Sequence, residues 1–258
     1  MIFSENRFPL FGIMRESIQM PLTVLLTGFG PFPGAPFNPT AALTQRLAAR
    51  RRPAFADVRR VAHVFQTSYA AVEHELPALI KRVRPDAVLL FGVATRTKYL
   101  RIETRARNAR SPLFPDAAGD RPGAATIDLG EASTRAGRAP QRALLAAVRA
   151  QRLPVRLSHS AGRYLCNFVY WRALTLTDVG PAPLVQFIHV PTVRRGPMRP
   201  AAERQLTAGD LLRAGEAILT ALVAAARTRR YARAPTFAAV PVEVQRQPKR
   251  ERRQAVAG

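Results

Sequence analysis

Two side chains in this sequence have the type and the setting to do chemistry. Cys166 is the only cysteine in 258 residues. It stands in Ser160-Ala161-Gly162-Arg163-Tyr164-Leu165-Cys166-Asn167, where a glycine-containing turn feeds an apolar helical pattern. The unpaired N–H groups of a first helical turn favour thiolate over thiol, and the thiolate is the reactive form. Cys166 is therefore a candidate nucleophile; the alternative is a small buried hydrophobe. His189 lies in Phe187-Ile188-His189-Val190-Pro191, among apolar neighbours near the end of an expected strand. That setting suits a general base or a satisfied core imidazole. His63, His74 and His159 read as structural.

The elements that must position these groups follow from periodicity. Residues 21–27 are a β-branched and apolar run, read as a buried strand. A Gly/Pro loop over 28–39 carries Phe29, Phe32 and Phe37, which either pack onto the core or line a small apolar pocket. Helical spacing follows over 40–51, then an alternating strand over 57–65. Thr67 or Ser68 caps a helix that carries Val72, Leu76, Leu79, Ile80 and Val83. Residues 87–91 are a second buried strand ending at Gly92. Residues 99–105 alternate as a half-exposed strand, with Tyr99, Arg101, Glu103 and Arg105 on one side.

Residues 108–137 are rich in loop signals. A helix is expected over 140–149, a strand over Val155–Ser158, a helix over Leu165–Leu176 and a buried strand over Leu184–Val190. Thr207 caps a final helix to about Arg227. The alternation predicts an α/β fold: a single-domain three-layer α/β/α sandwich on a twisted, largely parallel (mixed) sheet. Residues 20–230 form that domain. Residues 1–19 read as a disordered or mis-annotated extension, with Met20 as an alternative start, and 231–258 as a basic, disordered tail.

Bulk composition narrows the function classes. A single cysteine excludes an intramolecular disulfide framework and a cysteine-based zinc cluster, and suits a reducing compartment. The longest apolar runs, at 87–91 and 221–226, are too short to span a bilayer, and residues 1–20 lack the apolar centre of a signal peptide. The expected location is cytoplasmic. A formal net charge of +23 raises a nucleic-acid role. Against it, the cations are almost all Arg, with Lys only at 81, 98 and 249, scattered without interleaved stacking aromatics. Neither a phosphate-binding loop nor a dinucleotide fingerprint is present.

Four motifs in order resemble those of type I pyroglutamyl peptidases (pyrrolidone-carboxylate peptidases), cysteine peptidases that remove an N-terminal pyroglutamate. Thr27-Gly28-Phe29-Gly30-Pro31-Phe32 with Asn38-Pro39 is similar to the family's N-terminal signature. Ile102-Glu103, Ala106 and Asn108, followed by Pro115-Asp116, resemble its glutamate segment. Residues 160–167 resemble its nucleophile motif, and residues 187–191 its histidine motif. The likeness runs from about Pro21 to the last helix near Arg227.

The resemblance implies a catalytic trio of Cys166 as nucleophile, His189 as base and Glu103 as the carboxylate orienting the imidazole. It places Phe29, Phe32, Val93 and Leu165 at the substrate, with Asn38 tying the first loop together. It further implies a peptide with an N-terminal pyroglutamate as partner, no metal or other cofactor, and homo-oligomerisation. The chain departs from the family at Val93-Ala94-Thr95-Arg96-Thr97, where a Gln followed by Ala-Gly-Gly-Arg is usual. It departs again at Leu113, where an Arg is usual and Arg110 is the nearest substitute. A divergent thiol hydrolase with another small amide or lactam substrate is the alternative. A non-catalytic basic protein associated with nucleic acid is a second one.

Overall fold

Every residue of the first strand, β1 (Leu22–Phe29), is buried. A strand covered on both faces needs helices on both sides of its sheet. The computed structural model describes residues 20–32, 34–178, 182–193 and 205–232. The elements after β1 are α1 (Pro39–Ala49), β2 (Val58–Phe65), α2 (Tyr69–Val83), β3 (Ala87–Val93), β4 (Leu100–Glu103), β5 (Arg105–Arg107), β6 (Thr134–Ala136), α3 (Gln141–Ala150), β7 (Val155–Ser158), α4 (Leu165–Leu176), β8 (Leu184–Val190) and α5 (Ala208–Tyr231). The main sheet has the order β2-β1-β3-β8-β4-β7. Only the β4·β8 pair in it is antiparallel.

Two apolar cores sit on opposite faces of this sheet. The alternation of side chains along a strand is the cause. In β1, Val24 and Leu26 join the core under α1, α3 and α5, while Leu25 and Phe29 join the core under α2 and α4. The result is the three-layer α/β/α sandwich. Helix starts follow local chemistry. The Asn38 side chain accepts from Thr40 N–H, Ser68 accepts from Ala71 N–H, and Thr207 with Asp210 forms a reciprocal capping box.

Several boundaries differ from the sequence expectation. β1 runs on through Phe29, and β3 runs through Gly92 to Val93. The strand expected over 99–105 splits: β4 joins the main sheet, while β5 pairs with β6 in a separate two-stranded sheet. β4 lies between β8 and β7. Glu103 pairs there with Phe187, a member of the core under α2 and α4, so it is fully buried instead of facing solvent with Arg105. Helix α5 continues to Tyr231, about one turn beyond the expected end, and so takes in the first residue of the expected tail. The extension over 1–19 and the tail from 233 onward lie outside the described residues. Among the described residues no helix is long and apolar enough to cross a membrane.

Candidate functional site

The turn before α4 is built to present Cys166. Gly162 has φ of +87°, a conformation that a Cβ would strain. Arg163 O accepts from Ser111 N–H at 2.6 Å, and the Tyr164 hydroxyl donates to Pro115 O at 2.8 Å. Asn167, wholly buried, anchors the helix from the other side. Its Oδ1 accepts from Arg107 N–H at 2.8 Å, and its Nδ2 donates to Arg107 O and Ala109 O, each at 2.8 Å. The residue after the cysteine thus ties the first turn of α4 to the strand that follows Glu103.

Sheet register brings the other groups to that turn. Gly92 of β3 pairs with His189 of β8, and His189 pairs with Arg101 of β4. A Cβ placed on Gly92 would stand 2.7 Å from the Cys166 sulfur and 2.6 Å from Cζ of Phe187. The sulfur therefore occupies space left by the missing side chain at 92. The Phe187 ring packs edge-on to the His189 ring at a centroid separation of 4.8 Å.

Glu103 Oε1 lies 2.7 Å from His189 Nδ1. A carboxylate only accepts, so Nδ1 carries the proton and Nε2 keeps its lone pair. The Glu103 backbone is held as firmly, its carbonyl accepting from the Tyr170 hydroxyl at 3.1 Å and Gln186 Nε2 at 2.8 Å. Among the described residues, the His189 ring has contacts of hydrogen-bond length to Glu103 and Arg101 alone. The sulfur and the ring share the neighbourhood of Gly92 and Phe187 without a direct hydrogen bond.

The electrostatics correct one expectation. The helix start favours thiolate over thiol, yet burial first, and the Glu103 carboxylate second, push the Cys166 thiol up to about 12. Arg101 and the cysteine's own backbone N–H act the other way without prevailing. Burial also lowers His189, against the pull of Glu103 and together with Arg101. Both shifts leave the proton on sulfur and the imidazole neutral. The first-turn dipole is too weak to offset removal of the thiolate from water.

The other expected site residues divide. Phe29 is buried against Phe65, ring centroids 5.9 Å apart, so it packs into the core beneath α2 and α4. Phe32 is half-buried and faces Tyr164 at 6.5 Å, which brings the first loop beside the cysteine turn. Leu165 is buried directly before Cys166. Asn38 donates to Gly30 O at 3.1 Å and accepts from Thr40 N–H at 3.1 Å, joining the two ends of its loop. Val93 pairs with Val190 at the end of β3, and alternation puts it on the opposite pleat from Gly92, away from the sulfur's side of the sheet. Leu113 is exposed, and Arg110 Nε donates to Ala124 O at 2.9 Å.

Three residues at the site have no role assigned from sequence. Arg101 touches both His189 and Glu103; its position two residues before Glu103 on one strand, hence on the same pleat, was the available signal. Tyr69, first residue of α2, packs edge-on to Tyr164 at 6.0 Å and Phe168 at 5.1 Å, flanking Cys166. Asp116 is buried and accepts from Tyr69, Ala118 and Asp120 N–H groups at 2.8–3.0 Å, joining its loop to the start of α2. No group of three or more His, Cys, Asp or Glu suited to a metal ion occurs among the described residues.

A three-layer α/β sandwich with a thiol, an imidazole and a carboxylate gathered near the ends of its central strands has the design of a thiol hydrolase. The particular family is then given by comparison. The family model for pyroglutamyl peptidase matches residues 22–227, and the chain belongs to that family. A relative from Streptococcus pneumoniae, pyrrolidone-carboxylate peptidase 1, is 31% identical over 207 residues, covering 78% of this chain and 93% of its own length. The pyrrolidone-carboxylate peptidase of Thermococcus kodakarensis is 32% identical over 171 residues, covering 66% of this chain and 81% of its own. Two solved structures share the fold. Pyrrolidone carboxyl peptidase from Thermococcus litoralis has a TM-score of 0.71 at 24% identity, covering 80% of this chain and 96% of that one. Pyroglutamyl peptidase I of Bacillus amyloliquefaciens has a TM-score of 0.69 at 24% identity, covering 79% and 97%.

Proposed function

We propose that this protein is a cysteine exopeptidase that removes an N-terminal pyroglutamyl residue from peptides, with Cys166 as nucleophile, His189 as general base and acid, and Glu103 as the group orienting the imidazole. The observation that carries this reading is the Glu103–His189 contact at 2.7 Å, set on the strand beside the glycine whose vacant side-chain space the Cys166 sulfur fills. Membership of the pyroglutamyl peptidase family supplies the substrate class.

The protonation of the site sets the order of events. With the proton resting on sulfur, His189 Nε2 takes it as Sγ attacks the pyroglutamyl carbonyl carbon, so thiolate forms in the act. Binding of substrate brings sulfur and ring into hydrogen-bond reach, since such contacts are often loose without ligand. The carbonyl oxygen becomes an oxyanion and is held by N–H groups at the start of α4, including that of Cys166. The tetrahedral intermediate collapses, the C–N bond breaks, and the imidazolium protonates the departing amine. Water, deprotonated by His189, then attacks the thioester carbon and pyroglutamate leaves with Cys166 restored as thiol. Phe32 and Tyr164, both half-buried, offer the apolar surface against which a flat lactam ring can lie.

The test is cleavage of a fluorogenic pyroglutamyl amide by wild type and Cys166→Ala side by side. Cleavage by the wild type, lost in the variant and after iodoacetamide, is the expected result. Undiminished activity in Cys166→Ala overturns the reading. A different small amide or lactam is the second reading, resting on Thr95-Arg96-Thr97 standing where Gly-Gly-Arg is usual in the family. Absence of pyroglutamyl cleavage together with Cys166-dependent hydrolysis of another lactam amide would select it.

A further inference from the structure

Glu103 is a fully buried carboxylate whose only neutralising neighbour among the described residues, when His189 is uncharged, is Arg101. The arginine Nε lies 3.1 Å from Glu103 Oε1, an ion-pair contact whose N–H is not aimed at the oxygen. Its Nη2 lies 3.0 Å from His189 Nδ1. Oε1 is thus shared by imidazole and guanidinium, while Oε2 is buried without a hydrogen-bond partner. A guanidinium has no acceptor and Nδ1–H already donates to Oε1, so the Nη2 contact is not a second hydrogen bond. It is a fixed cation pressed against the ring, and about a quarter of the Arg101 side chain remains exposed.

We propose that Arg101 is a positioning residue for the thiol–imidazole pair, a permanent cation that balances the buried Glu103 charge and opposes a second proton on His189. The charge count explains the need. At rest the buried cluster holds Glu103 negative and Arg101 positive; after proton transfer it adds thiolate and imidazolium, and the sum is zero in both states. Without Arg101 each state carries one uncompensated negative charge in a dry site, which is costly.

The groups facing the pair are few. β4 presents Arg101 and Glu103, and β3 presents Gly92, which does not titrate. From α4 comes Cys166 itself, with the Tyr170 hydroxyl on the Glu103 carbonyl. Tyr69 on α2 and Tyr164 beside the helix lie within electrostatic range of the sulfur, with Arg110 and Asp116 behind Tyr69. Of these, Arg101 is the cation that acts on both members, lowering the thiol and the imidazole alike.

The proposal rests on the catalytic reading above, but its test needs no substrate. Cys166 is the only cysteine, so the rate of iodoacetamide alkylation against pH reports on that thiol alone. Arg101→Met is expected to move the profile up by roughly one pH unit, an approximately tenfold slower alkylation below the midpoint, while Arg101→Lys restores most of the wild-type rate. If Arg101→Met fails to fold by circular dichroism, Arg101→Gln against Arg101→Lys makes the same comparison of neutral with cationic. A neutral variant that folds and keeps the wild-type profile overturns the proposal, as does a lysine variant shifted as far as the neutral one. Loss of pyroglutamyl cleavage with the alkylation shift intact would count against the substrate and leave Arg101's role standing.

Discussion

Gly92 and Cys166 occupy one space: a Cβ on the glycine would lie 2.7 Å from the sulfur, closer than real Cβ atoms come to another heavy atom. Gly92 also pairs with His189 across the β3–β8 ladder, so the same residue seats the thiol and neighbours its base. The absence of a side chain at 92 is thus what lets α4 bring its first turn down onto the sheet.

Substituting Gly92 by Ala should expose that dependence. The methyl meets both the sulfur and the Phe187 ring, and the sheet behind it cannot recede. The expected cost is roughly 1–3 kcal/mol of stability, with a fall in kcat/KM of about a hundredfold as the sulfur is displaced. Thermal unfolding and steady-state kinetics on the same preparation check it. Wild-type kcat/KM in a folded Gly92→Ala would show that the sulfur's place is not set here.

Glu103→Gln should separate thiol reactivity from turnover. The carboxylate is the second cause, after burial, holding the thiol high, so its neutralisation makes Cys166 more acidic and faster to alkylate at neutral pH. Turnover should nonetheless drop by roughly 10²–10⁴, because an amide can present N–H to Nδ1 and reverse the ring's tautomer. Parallel alkylation and hydrolysis rates test this; a common fall in both contradicts it.

Asn167 predicts a stability effect with a catalytic consequence. Its three buried hydrogen bonds join α4 to β5 and the segment after it. Asn167→Ala strands an N–H and two carbonyls, at a cost of about 2–4 kcal/mol. Chemical denaturation measures it. Loss below about 1 kcal/mol would mean that water or relaxation replaces those partners.

His189 contributes to the pH dependence of stability in a stated direction. Its folded value is lowered from the ordinary 6.5, chiefly by burial. The unfolded chain therefore binds the proton more readily, and this contribution is complete above about 6.5 and is lost as pH falls through the lower folded value. Unfolding midpoints measured from about pH 8 to about pH 5 should decline more steeply in wild type than in His189→Gln. Parallel declines would place the acid sensitivity elsewhere.

How much of this was legible beforehand differs between residues. The buried runs that became β1, β3 and β8 were readable because continuous apolar residues have no stable place except between two layers of helices. The caps at Ser68 and Thr207 were readable because capping is local chemistry. Cys166, His189 and Glu103 could be named from motif order, and their catalytic roles remain the proposal made above. Glu103's surroundings could not be read. Alternation over 99–105 put it on a solvent-facing side with Arg101 and Arg105, whereas the strand breaks after Glu103 and Arg105, in the next strand, is the one that reaches out to solvent.

The sequence by itself determined the layer architecture, the helix starts and the presence of one thiol at a helix N-terminus, since each depends on neighbours a few residues away. Only the tertiary structure decided the strand order that puts Gly92, His189 and Arg101 in one row, because pairing between strands joins residues about 90 positions apart. It also decided the charge state of the site. Proximity to a helix start is written in the chain and favours thiolate, but exclusion of water is a property of the packed whole, and it holds the proton on Cys166.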